Sequence, residues 1–266
     1  MLPIIKRELK ANLKGFIIWT LVIVAIVLMM LVSYVSMKDD MANLNSVMAS
    51  MPKALLKAFG MDNLDMTSIE GFYASKGHLS VILIGSVYAC NLASSLLVKE
   101  YDQKTSEYLL SKPISRSEVY FAKAISFLIL ITLFNVIIGG TVAVGIYSFA
   151  SGSAVNNKVV FLLALSPYLL ELAFGYICYF LSIFCTKTRA SIGISLGVVF
   201  GFYLLYVVGN LADTFSFLKD YNFYSYVDTT ALVVNKSLNF SHILAMVLTA
   251  LISLLAGKLV YDRRDF

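Results

Sequence analysis

The chain has 266 residues; 59% are hydrophobic, only 14% are charged, and the mean hydropathy is +0.81. A soluble domain of this length carries far more polar surface, so the composition points to a protein embedded in a bilayer. The formal charge of +5 needs no nucleic-acid partner, because membrane topology accounts for where the Lys and Arg fall.

Six apolar runs, over 15–37, 77–98, 119–149, 159–185, 191–211 and 241–260, are each long enough to cross a hydrocarbon core of about 30 Å as a helix. The third and fourth are long, so they must tilt, kink or project past the lipid. The runs are continuously apolar rather than alternating, which excludes a membrane β-barrel. Fourteen of the 21 Lys and Arg fall on the side holding both termini and seven on the other, so the termini are expected in the cytoplasm. The expected fold is all-α: one domain over 1–266 with six transmembrane helices, preceded by an amphipathic elbow. Cys90, Cys178 and Cys185 all lie within runs, so no disulfide framework is expected. No paired Cys/His spacing suggests a metal.

In chain order, residues 2–14 read as the elbow. Leu2, Ile5, Leu9 and Leu13 form an apolar stripe, and Lys6, Arg7, Lys10 and Lys14 occupy other faces. Such a segment either orients the first span from the headgroup plane or is a plain positive-inside flank. The first run is too long for a signal-peptide core, so an uncleaved helix is expected. The loop over 38–76 carries Leu44, Val47, Met48, Met51, Leu55 and Phe59 at helix-like intervals, with a break at Pro52. It reads as a Met-rich lid or as a helix resting on the outer leaflet.

After the second span, Lys99 to Glu118 reads Lys-Glu-Tyr-Asp-Gln-Lys-Thr-Ser-Glu-Tyr-Leu-Leu-Ser-Lys-Pro-Ile-Ser-Arg-Ser-Glu. A short apolar element, Tyr108-Leu109-Leu110, is stopped by Pro113. Ser115 and Glu118 then have the spacing of a capping box opening the third span. The loop is therefore a short helix, a turn and a capped helix start. It suits the transmission of motion from a cytoplasmic partner, or it is an ordinary solvated loop.

In the fourth span, Glu171 is the single acid placed inside the bilayer and follows Pro167. It can serve a cationic substrate or proton, or bind hydroxyls within the bundle. Gly193, Gly197 and Gly201 in the fifth span form a small-residue ladder for a dimer seam or for packing within one subunit. Gly193 to Gly197 also matches the hydrolase elbow G-x-S-x-G around Ser195. His78 and His242 lie near the other ends of their spans, too far away to act as its base. The loop over 212–240 gathers Phe215, Phe217, Tyr221, Phe223, Tyr224 and Tyr226, as an interfacial belt or a re-entrant hairpin.

The loop after the second span resembles that of permease subunits of type-2 ABC exporters. In that family an acid is followed by a Leu-Leu-Ser-x-Pro-x-x-Arg-like run and a later Lys. Glu100, Thr105, Leu109, Leu110, Ser111, Pro113, Arg116 and Lys123 fit. The family commonly has Gly before the Thr, where this chain has Lys104. The resemblance covers almost the whole chain. It implies a permease paired with a second permease subunit, identical or different. Each docks on a separate ATPase through the elbow and a coupling loop over 99–118 that includes Glu107. The chain has no G-x-x-x-x-G-K-[ST] loop. ATP and Mg are therefore expected on the partner ATPase, with no cofactor and no catalytic residue in this chain. The tails and inner loops are expected to be too short for a nucleotide-binding domain. A lipophilic or amphipathic cargo, such as a hydrophobic peptide, drug or lipid, and a bacterial plasma membrane complete the expectation. An ATP-independent secondary transporter and a membrane scaffold share the topology.

Overall fold

The computed structural model describes residues 1–37, 50–52, 64–104, 115–150, 154–211 and 213–263. All regular structure among them is helical. Helix α1 is Leu2–Met37, so the elbow and the first span form one unbroken helix. Its span buries Thr20, Ile23, Val27, Leu31 and Tyr34 at three- and four-residue spacing. Its elbow buries Ile4 and Glu8, while Leu2 and Leu13 are exposed. The stripe expected from the sequence thus lies about a third of a turn from the buried line, because a buried acid takes part in the inward face.

Helix α2 is Ile69–Asp102, longer at its start than the apolar run. Glu70 and Lys76 dilute the hydropathy there, yet both belong to the helix. The Glu70 carboxylate accepts the Asn156 backbone N–H at 2.8 Å, and the Lys76 ammonium lies 5.3 Å over the Phe72 ring. Ser68 caps α2 by accepting the Gly71 N–H. Residues Tyr73–His78 within it are π-helical.

Helices α3 (Arg116–Phe149), α4 (Asn157–Ser182) and α5 (Thr188–Leu211) follow. The capping box read from Ser115 and Glu118 is present in full: Ser115 Oγ accepts the Glu118 N–H, and the Glu118 carboxylate accepts the Ser115 N–H. Pro167 is carried inside α4. A 3-10 segment, Asp213–Tyr221, leads to α6 (Phe223–Tyr226), α7 (Thr229–Val233) and the last span, α8 (Phe240–Asp262). Among the described residues, six helices are long and apolar enough to cross a membrane. The chain is a multi-pass membrane protein.

The α2–α4 pair is central. In its most apolar stretch α2 is 72% buried, against 22% for α1 and α5 and 11% for α8. Helix α1 packs on α3, α5 on α2, and α8 on α4.

The segment after α5 turns back into the bundle. Asn222 donates to the Phe202 carbonyl at 2.7 Å, and the Phe202 and Phe223 rings stack. Phe202 lies nine residues before the end of α5, a depth of about 13 Å. Phe223 and Tyr224 pack on Phe174 of α4, and the buried Tyr226 ring stacks on His242. These rings are protein-buried, as a re-entrant segment requires. Phe215, Phe217 and Tyr221 of the 3-10 segment remain exposed. The burial of Phe223, Tyr224 and Tyr226 is compatible with a re-entrant segment, and the exposure of the other three with an interfacial belt. Residues 38–49 and 53–63 of the loop after α1 lie outside the described residues; Met66 beyond them is buried.

Candidate functional site

The root of the loop between α2 and α3 gathers charges from distant parts of the chain. At the end of α2, Gln103 and Lys104 N–H groups close on the Lys99 and Tyr101 carbonyls. Lys104 adopts φ +54°, the left-handed conformation that ends many helices. This is the position where the resembled family has Gly. The turn therefore survives the change to Lys, at the cost of a strained backbone.

Beneath this turn runs a chain of ion pairs. Lys99 binds the Glu8 carboxylate, and Lys123 binds both the Glu100 carboxylate and the Leu96 carbonyl. Arg7 bridges the two acids, donating to Glu8 at 2.9 Å and to Glu100 at 2.7 Å. Glu8 is fully buried, Lys123 is 1% exposed, and Glu100 is 7% exposed. Each acid is met on both oxygens, the condition under which ions tolerate burial. The chain of charges ties α1 to α2 and α3.

Three further contacts extend it. Asp102 accepts the backbone N–H of Thr188, at the start of α5, at 3.2 Å. The Arg116 guanidinium donates to the Asp262 carbonyl at 3.4 Å, and Ser117 donates to the Asp262 carboxylate at 3.2 Å. Five of the six spans thus bond directly to the loop root. The sixth, α4, joins through the Tyr179 hydroxyl, which donates to the Tyr120 carbonyl at 2.8 Å. Thr105, Glu107, Leu109, Leu110, Ser111 and Pro113 lie outside the described residues. Lys6, Lys10 and Lys14 are exposed and take no part in the chain of ion pairs.

The profile of a family described as ABC-2 family transporter protein matches residues 2–266. The chain belongs to the ABC-2 transporter family. Comparison with individually curated proteins gives no match.

In this ABC-2 protein the sequence picks out Glu100, Arg116 and Lys123 but misses Glu8, Asp102 and Asp262. One signal for Glu8 was present: it is the sole acid among the first 38 residues. Asp102 and Asp262 had none, since acids at helix ends are ordinary.

The membrane interior of the transporter holds a second polar centre. Glu171 is fully buried, and its Oε2 accepts the Asn135 amide at 2.7 Å. Its Oε1 has no hydrogen-bond partner among the described residues. The carboxyl lies so close to Gly85 of α2 that a Cβ there would collide with it. Asn135 is a neutral residue in an apolar run, so nothing in the sequence marked it.

The glycine ladder of the fifth span faces outward. A Cβ on Gly193, Gly197 or Gly201 would meet nothing within 4 Å, so packing within the subunit does not explain it. Ser195 Oγ donates to the Ser191 carbonyl at 2.9 Å, while His78 neighbours Ser166 and His242 stacks on Tyr226. Neither histidine is bonded to Ser195 among the described residues.

Proposed function

We propose that the chain is the permease subunit of an ATP-driven exporter in a bacterial plasma membrane, moving a lipophilic or amphipathic substrate such as a hydrophobic peptide, drug or lipid outward. A separate ATPase, holding ATP and Mg, docks on the coupling loop over 99–118 and on the elbow, with both termini in the cytoplasm. The permease contributes no catalytic residue. The observation that carries this reading is the loop root itself, bonded to five of the six spans. A force applied there reaches nearly every span through direct contacts, buried at Glu8, Glu100 and Lys123, rather than through one hinge. A solvated loop without a partner has no use for two buried carboxylates at its base.

The outward glycine ladder supports pairing with a second permease subunit along α5. The test is purification of the tagged chain from native membranes in mild detergent, with mass spectrometry and an ATPase assay. A stoichiometric ATPase is expected, and Glu107→Lys should release it while the chain keeps its helix content. Recovery of the chain alone, without ATPase activity, would replace this reading with a secondary transporter or scaffold.

A further inference from the structure

Asn135, the hydrogen-bond partner of the buried Glu171, lines a groove at the bundle surface. A groove of about 250 Å³ runs between α3 and α4, lined among others by Thr132, Asn135, Gly140, Phe161, Ala164 and Tyr168. It opens sideways: Phe161 is 62% exposed. Its walls are mostly apolar, and Gly140 leaves room where a side chain would stand.

The polar groups that line the groove keep acceptor capacity. Asn135 spends its amide N–H groups on Glu171 and on the Ile131 carbonyl, at 2.7 and 3.0 Å. Its own carbonyl oxygen accepts no hydrogen bond among the described residues. Glu171 stands behind Asn135, outside the lining, with its Oε1 turned to Gly85 of α2. The Thr132 and Tyr168 hydroxyls share one hydrogen bond of 2.9 Å across the two helices and keep lone pairs to offer. No Lys or Arg lines the groove. An acceptor-rich pocket backed by a buried carboxyl complements a cation that carries N–H groups.

We propose that this groove binds a lipophilic primary amine, its alkyl chain beside Gly140, Ala164 and Phe161 and its ammonium at Asn135 with the Glu171 carboxyl behind. As a statement about transported substrate, it rests on the exporter reading; as a statement about binding, it does not. The groove is smaller than most drug-binding pockets, so it takes the head and the first part of one chain.

The test uses the full chain in lipid nanodiscs with tritiated dodecylamine, subtracting empty nanodiscs. Saturable binding is expected. Glu171→Gln should raise Kd at least tenfold, and Gly140→Leu should abolish binding by filling the groove. Unlabelled dodecanol should compete poorly, because it lacks the charge. Gly140→Leu adds its side chain to open space, so it tests the groove even if Glu171→Gln fails to fold. Binding that does not saturate, or is unchanged in Gly140→Leu, overturns the proposal. Equal competition by dodecanol also overturns it and assigns the groove to an acyl chain. Co-purification of the ATPase is a separate readout: ATPase without amine binding overturns the amine site alone, and amine binding without ATPase overturns the exporter reading alone.

Discussion

Lys104 holds its backbone at φ +54° with its side chain exposed, one residue past the cap of α2. A β-carbon in this conformation costs about 1–2 kcal/mol, partly offset because glycine loses more freedom on folding. Lys104→Gly should therefore stabilise the protein by about 1 kcal/mol, read as a higher Tm in detergent. A lower Tm would mean that the Lys side chain does more than occupy the turn. Lys123 presents the opposite case, a buried cation whose removal strips one oxygen of Glu100 of its partner. Lys123→Met should cost about 3–5 kcal/mol. Adding Glu100→Gln should recover part of that, since an amide tolerates the vacated site better than a carboxylate. Melting curves of the two single variants and the double variant measure the coupling, and strict additivity would argue against a shared network.

At the scale of elements, the third span shows how a short sequence signal sets a helix start. Ser115 and Glu118 satisfy each other's backbone N–H groups where the loop meets the bundle. Ser115→Ala should cost about 1 kcal/mol. If the loop transmits force, the same change should uncouple ATPase stimulation from transport before it unfolds the helix. Vesicle uptake compared with ATP turnover would show this, and equal losses in both would assign the cap a purely structural part. Helices α6 and α7 lack such independence. Each is five residues or fewer, and each is held by neighbours: Asn222 on the Phe202 carbonyl, and Asp228 accepting from the Tyr206 hydroxyl at 3.0 Å. Isolated helices of that length do not form in water, so tertiary contacts create them.

For the whole molecule, burial is uneven in a way that suits an assembly. Helices α2 and α4 form the interior, while α5 and α8 keep broad apolar faces outward. Lipid can cover such faces, but a ladder of three glycines with open space beside each suits a close helix approach. Gly197→Leu should convert a dimer of the detergent-solubilised chain to monomer without lowering its helix content, because the new side chain meets no atom of its own subunit. Mass photometry reads this directly, and an unchanged mass would move the seam to another helix.

The number of spans, their order, the elbow, the capped start of α3 and the absence of strands among the described residues all follow from the sequence. Each is a local consequence of apolar length or of residues three or four apart. Glu100, Arg116 and Lys123 were legible for a different reason, the resemblance of one loop to a known family. Pairing was beyond reach. That Glu8 meets Lys99, that Asn135 meets Glu171, and that Phe223 returns to Phe202 depends on which helices are neighbours. Helix adjacency is decided by side-chain fit across the α2–α4 core, and an apolar run shows the same face to lipid and to protein. The sequence alone thus determined what crosses the membrane; only the tertiary structure decided which buried charges find each other, because the cost of an unpaired ion in the interior is settled by neighbours distant in the chain.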